Sequence, residues 1–382
     1  MQEPFFPDNN SMKRIILLLF FVSTLAFAET IYSPAWGFTV DLPEGYEFVG
    51  GDGKDKFSFS GPKELSFDLV VFNGTYKSIK EMVDDVNRKL GNNGSVDFYD
   101  YNGKPAAVVE LNFMKKTGWG LCLTLAPSSN SAATMILALS YNDAGKKMDL
   151  FHMSALDSIS PTKEELRYPG PIMEYGYPRG EQKKVPLALN GINAKIREND
   201  AEAAQVLVER EFDLLITYMD SPLWKEAWIR YYRFIYRDSF ARIEDAAAMI
   251  VRSWGGPPSG AEEKRAFAQK ALTFVQGFDY ERNFQGSDFV NLVTSITDGK
   301  CDCDSRAMLW AIILAKADIR AAIMISRQYS HAMGLADIAG QGARFEANGT
   351  KWLVAETTAK VDIGRIAQDQ SDTDAWFGIV FE

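Results

Sequence analysis

Two cysteines one residue apart, Cys301 and Cys303, lie at the start of an apolar run in the stretch DGKCDCDSRAMLWAIILAKADIRA. Such a pair could hold a metal, form or exchange a disulfide, or supply one nucleophile. Structural zinc uses a full set of Cys or His ligands, whereas this chain adds only Cys122 and two histidines. A Cys301–Cys303 disulfide would have poor geometry, although Cys301 could reach Cys122. We therefore expect no metal and no cofactor.

The residues after Cys303 predict a buried helix that begins at this cysteine. The sequence AMLWAIILAK is strongly apolar and breaks near Ala317-Asp318, and Asp302 is suited to cap the helix start. Free amide groups and the positive end of the helix dipole at that position favour a thiolate. We therefore expect Cys303 to have a lowered pKa and to act as a nucleophile.

A base and an acid follow the cysteine in order along the chain. His331, in SRQYSHAMGLADI, begins an alternating stretch that predicts a strand. The next segment, RFEANGTKWLVAETTAK, contains Asn348-Gly349 between two apolar runs, which indicates a hairpin. Glu356 lies at the end of its second arm, where its carboxylate could hold the His331 imidazole in the correct tautomer.

The segments GKCDCDSRAMLWAIILAKADIRAAIMI, HAMGLADI and KWLVAETTA closely resemble the transglutaminase-like superfamily, as found in bacterial exported proteins and in the wider papain-like group. The family's Cys, Asp and Ala match Cys303, Asp304 and Ala307, its His matches His331, and its acid matches Glu356. The resemblance covers about residues 262–382. It implies a papain-like thiol fold with a Cys-His-acid triad.

This resemblance implies an exported thiol enzyme that acts on amide bonds through a thioester, either as a peptidase or amidase or as an acyl transferase. Its partner would be a protein or peptide substrate, and a cell-wall peptide is one candidate. Gln276 and Tyr280 are side-chain candidates for an oxyanion donor. The alternative is a non-catalytic envelope binding or scaffold protein that retains the fold. The residues themselves do not separate hydrolysis from transamidation.

The organisation of the chain indicates an α+β protein of several domains. Residues 29–161 predict an N-terminal α/β sandwich-like domain, in which His152 is a packed helix residue and Asn102-Gly103 forms a hairpin turn. Residues 162–200 predict a linker and residues 201–255 a helical segment. The resemblance implies a transglutaminase-like domain over residues 256–382, with its N-terminal helix packed on an antiparallel sheet.

The first residues and the overall charge bear on location and partners. Lys13 and Arg14 precede an apolar stretch that ends in Ala26-Phe27-Ala28, which predicts a signal peptide over residues 1–28, cleaved before Glu29. Met12 begins the part that is typical of a signal peptide, so translation could start at Met12. We expect a periplasmic or secreted protein with no stable membrane insertion after cleavage. The formal charge of −10 argues against binding to nucleic acid.

Overall fold

The computed structural model describes residues 30–126, 133–282 and 286–381. It contains both helices and sheets, which confirms the α+β class. The predicted signal peptide, residues 1–28, lies outside the described residues. Contacts divide the chain into two units. The first contains the described residues up to Lys163 together with Tyr218–Arg230, and the second contains Glu164–Thr217 together with the described residues from Tyr231 onward.

The first unit is built on an antiparallel sheet. Its strands are β1 (Ile31–Tyr32), β2 (Thr39–Val40), β3 (Glu47–Gly51), β4 (Lys56–Ser60), β5 (Ser66–Asn73), β6 (Val96–Tyr101), β7 (Lys104–Phe113), β8 (Lys116–Ala126) and β9 (Thr134–Asp143), and its helices are α1 (Ile79–Leu90) and α2 (Asp149–Asp157). Strands β1 and β2 pair separately. The other strands lie in the order β3-β4-β5-β9-β8-β7-β6.

Local signals in this unit act as the sequence predicts. Helix α1 begins at the Ser78 cap and ends at Gly91, which adopts a left-handed conformation. Asn102 and Gly103 both have positive φ and join β6 to β7, which confirms the hairpin. His152 on α2 is buried, and its ring nitrogens contact Ser140 Oγ at 2.9 Å and Asn142 Oδ1 at 2.7 Å. It is therefore a packed residue, as predicted.

The second unit contains the remaining helices and strands. Its helices are α3 (Pro171–Gly176), α4 (Asp200–Ile216), α5 (Trp224–Arg242, which begins in the first unit), α6 (Glu244–Ser253), α7 (Ala261–Gln276), α8 (Leu292–Asp298) and α9 (Cys303–Lys316). Its strands are β10 (Gln182–Pro186), β11 (Asn193–Arg197), β12 (Asp279–Tyr280), β13 (Lys300–Cys301), β14 (Ala321–Ser326), β15 (His331–Ala336), β16 (Arg344–Ala347), β17 (Thr350–Ala355) and β18 (Phe377–Val380). Within the described ranges, none of the helices is long and apolar enough to cross a membrane.

The segment interpreted from sequence as a linker, residues 162–200, carries regular structure of its own. Pro171 begins α3 directly after Gly170, where its missing N–H costs nothing. Strands β10 and β11 then pair antiparallel. The dense Pro, Gly and Tyr that indicated a linker are thus distributed over a short helix and the turns around it.

Helix α9 packs on β14 and β15 of an antiparallel sheet with the strand order β16-β17-β15-β14-β18. Gly334 of β15 lies against the ring of Trp310 of α9, and a Cβ at this position would come within 2.5 Å of that ring. Trp310 is fully buried, so the ring has no room to move away. This close approach fixes the helix that begins at Cys303 over the strand that begins at His331.

Candidate active site

The start of α9 places Cys303 in the interior of the second unit. Asp302 caps the helix, since its Oδ1 accepts from the Ser305 amide at 3.0 Å, as predicted. The exposed fraction of Cys303 is 3%. Cys122, Cys301 and Cys303 are all free thiols, and all three are buried. Burial raises the pKa of Cys301 to about 12.

The Cys303 sulfur lies among three hydrogen-bonding groups. Its thiol donates to Asp304 Oδ1 at 3.3 Å. The backbone N–H of Ala332, the residue after His331, lies near the sulfur and lowers the pKa of the thiol, and the Tyr280 hydroxyl of β12 also lies near the sulfur. In this arrangement the thiol donates to Asp304 and not to His331.

The prediction of a lowered thiol pKa is wrong for this arrangement. Burial and then the carboxylates of Asp304 and Asp302 raise the pKa of Cys303 well above its ordinary value, and the Ala332 amide opposes them only in part. A charge is costly in a buried site, and two neighbouring carboxylates disfavour a second negative charge. These effects outweigh the favourable position at the helix N-terminus.

A base and an acid come together on the neighbouring strands. His331, the first residue of β15, bonds through Nε2 to Glu356 Oε2 at 2.8 Å, and Glu356 follows directly after β17. The other carboxylate oxygen, Oε1, accepts from the Thr358 amide at 2.7 Å and the Thr358 hydroxyl at 2.6 Å. Because the acid is held as an acceptor, Nε2 carries the proton in this contact, and Nδ1 is left as the basic nitrogen.

The Glu356 carboxylate is held in its ionised form. Burial opposes its charge, but the hydrogen bonds from His331 and Thr358 prevail and lower its pKa to about 2. A carboxylate that accepts several hydrogen bonds behaves in this way. Glu356 can therefore fix the orientation of the His331 ring over a wide pH range.

We predict that Glu356→Gln makes the free energy of unfolding depend less on pH in the acidic range. A depressed folded pKa contributes stability above the ordinary value of 4.5, which is lost as the pH falls toward about 2. The lost stability should reach at most about 3 kcal/mol. Urea unfolding of both proteins between about pH 5 and 3 measures this difference. The exposed Glu346→Gln, on β16, is the matched control, and a Glu356→Gln profile parallel to the wild type would contradict the prediction.

The two side-chain candidates for an oxyanion donor have different surroundings. Gln276, at the end of α7, donates both hydrogens of its amide to backbone carbonyls, at 2.8 Å to Glu356 and 2.9 Å to Val361. Gln276 therefore holds the backbone at Glu356 in place, and its amide has no hydrogen left to donate to a substrate. Tyr280 is half exposed, contacts the Cys303 sulfur and lies under the Arg306 guanidinium at 5.4 Å. Tyr280 is thus the better-placed candidate.

Two aromatic side chains at this site were not singled out for it from the sequence. Trp376 packs edge-on against the His331 ring, with 6.2 Å between the ring centroids. The Tyr232 hydroxyl of α5 donates to Asp304 Oδ2. Each is distant from its partner along the chain, and no local pattern signals such contacts.

Three possible metal ligands lie together at the start of α9. One side-chain atom from each of Asp302, Cys303 and Asp304 lies within 4.8 Å of the others. Their proximity follows from three consecutive positions at a helix start. Asp302 Oδ1 and both oxygens of Asp304 already accept hydrogen bonds from within the protein. We therefore assign no metal to these side chains.

A scan of the chain against models of known protein families finds no match, and a search of curated proteins finds none either. The resemblance to the transglutaminase-like superfamily therefore stays a prediction from the motifs.

Proposed function

We propose that this protein is an exported thiol enzyme of the transglutaminase-like type that cleaves or transfers amide bonds, with Cys303 as nucleophile, His331 as base and Glu356 as the acid that orients it. The contact between His331 Nε2 and Glu356 Oε2 at 2.8 Å supports the proposal most directly. The Ala332 amide on the Cys303 sulfur supports it as well, because it ties the nucleophile to the residue next to the base. This combination of helix, strand and strand-end acid is the arrangement a thiol nucleophile needs.

The reaction begins when the Cys303 sulfur bonds to the substrate carbonyl carbon. The thiol proton moves to His331 Nδ1, and the carbonyl π electrons move to oxygen. As this intermediate collapses, the C–N bond breaks, the proton passes to the leaving amine, and a thioester is left on Cys303. Water or a second amine then attacks, gives a proton to His331, and the C–S bond breaks as the sulfur takes that proton back.

The developing oxyanion needs donors that are already in place. The backbone amide of Cys303 at the start of α9 and the half-exposed Tyr280 hydroxyl are the groups we propose for this role. Loss of one oxyanion donor typically costs about 3 to 4 kcal/mol of transition-state stabilisation. Water as the second nucleophile would make the protein a peptidase or amidase, and we favour this outcome over transfer to an amine.

The proposal is tested by turnover together with capture of the acyl-enzyme. The purified protein is incubated with a panel of fluorogenic peptide amides. In a separate reaction it is incubated with a glutamine-containing protein as acyl donor and a biotinylated primary amine as acyl acceptor. We expect amine release and, after an acid quench, a mass increase equal to the acyl group that maps to Cys303. If no substrate is turned over and no acyl group maps to Cys303, the enzyme proposal fails and the binding or scaffold alternative is favoured.

A further inference from the structure

The thiol proton of Cys303 is held by a residue outside the proposed triad. Asp304 Oδ1 accepts it at 3.3 Å, while Asp304 Oδ2 accepts from the Tyr232 hydroxyl. We propose that Asp304 is a positioning residue that keeps this proton on sulfur, so that the nucleophile is stored as a neutral thiol and not as a thiolate–imidazolium pair. This inference rests on the proposed function for its role in catalysis.

The hydrogen bonds favour a negative charge on Asp304 over one on its neighbour Asp302. Both oxygens of Asp304 receive a donor. Asp302 Oδ2, in contrast, has no hydrogen-bond partner among the described residues. Burial raises the pKa of both carboxyl groups, so a single negative charge belongs on the one that receives more hydrogen bonds. A proton shared by the two therefore belongs on Asp302, and Asp304 faces the sulfur as a carboxylate.

The basic side chains near this pair already have hydrogen-bond partners. Arg282 donates through Nε to Asp288 at 2.9 Å, and His331 is bound to Glu356. The titratable and charged side chains that interact with Cys303 or Asp304 include Tyr231, Tyr232, Tyr280, Arg282, Asp288, Asp302 and His331. Acids dominate this surrounding. The Arg306 guanidinium of α9 donates to the Phe278 carbonyl at 2.8 Å and lies over the Tyr280 ring, and the pKa of Cys303 is raised in its presence.

Storage of a neutral thiol has a consequence for the reaction. The thiol proton must leave for His331 while the sulfur bonds to the carbonyl carbon, because transfer before attack would place a thiolate beside the Asp304 carboxylate. A neutral thiol also reacts slowly with alkylating and oxidising agents. Asp304 would thus protect Cys303 until a substrate carbonyl arrives.

Alkylation of the thiol tests this role without any substrate. Three proteins are treated with iodoacetamide across a range of pH: the wild type, Asp304→Asn and the control Asp298→Asn. The control neutralises an exposed acid of the same unit. Alkylated Cys303 is then quantified by mass spectrometry. Near neutral pH we expect Asp304→Asn to react about tenfold faster or more, with its pH profile shifted to lower pH. Asp298→Asn should match the wild type. A folded Asp304→Asn protein that reacts no faster than the wild type would overturn the proposal.

A second measurement does not depend on the folding of the Asp304 variant. The ultraviolet absorbance of thiolate, taken as wild type minus Cys303→Ala, should be absent near neutral pH and should emerge only at high pH. A thiolate signal at neutral pH in the wild type would overturn the proposal. Faster alkylation of Asp304→Asn in a protein that turns over no amide would uphold the role of Asp304 on the thiol and reject the proposed enzyme, so the two failures are distinguishable.

Discussion

Cys303→Ala is expected to abolish amide-bond turnover while the protein stays folded. Removal of the nucleophile from a serine protease lowers kcat by about 10⁶-fold, because no other group can form the covalent intermediate. Cys303 is the thiol that carries the contacts to Ala332, Asp304 and Tyr280. Initial rates on the best substrate of the panel, with circular dichroism to verify the fold, measure the effect.

Cys301→Ala is the matched control, since the same atoms are removed two residues away. Cys301 is fully buried in β13, where its surroundings are Ser295 and Arg306 and not the His331–Glu356 pair. Its loss should leave kcat within about threefold of the wild type and cost only a small part of the stability. A folded Cys301→Ala protein without activity would show that the nucleophile is assigned to the wrong cysteine.

The elements that carry the candidate site could be predicted because each has a local signal. The Asp302 cap and the apolar run after it define α9, and Asn348-Gly349, both at positive φ, defines the β16–β17 hairpin that brings Glu356 to a strand end. Alternation from His331 onward defines β15. Cap, turn and period are properties of a few neighbouring residues, so a single sequence is enough to find them.

The electrostatics of the thiol could not be predicted in the same way. A helix start favours a thiolate, but burial and the Asp304 carboxylate raise the pKa of the Cys303 thiol. Asp304 is itself held by a hydrogen bond from Tyr232, 72 residues away along the chain. Gln276 likewise contacts the carbonyl of Glu356 across 80 residues. Contacts between distant segments depend on the packing of the whole unit, which spacing along the chain does not report.

The same limit applies to the segment 162–200. Its Pro and Gly residues indicate turns correctly, but a helix as short as α3 and a hairpin as short as β10–β11 leave almost no periodic pattern. Their stability comes from packing within the second unit, to which residues 164–200 belong. A loop-like composition therefore conceals ordered structure here.

Arg242→Met is expected to destabilise the second unit by about 3 to 5 kcal/mol, the range for a buried ion pair that loses one partner. Arg242 is 3% exposed and binds both oxygens of Asp238, at 2.7 and 2.8 Å, together with Asp200 at 2.8 Å. Methionine fills a similar volume but leaves two buried carboxylates without this cation. The affected helix, α5, also carries Tyr232, so the arrangement around Asp304 depends on this anchor.

Urea unfolding of the wild type, Arg242→Met and Arg252→Met measures this cost. Arg252→Met is the control, because it makes the same substitution at an exposed position of α6. Its free energy of unfolding should lie within about 0.5 kcal/mol of the wild type. Adding Asp238→Asn to Arg242→Met should recover part of the loss, since one buried charge is removed. A deficit that Asp238→Asn does not reduce would mean that Arg242 stabilises the unit through packing and not through its charge.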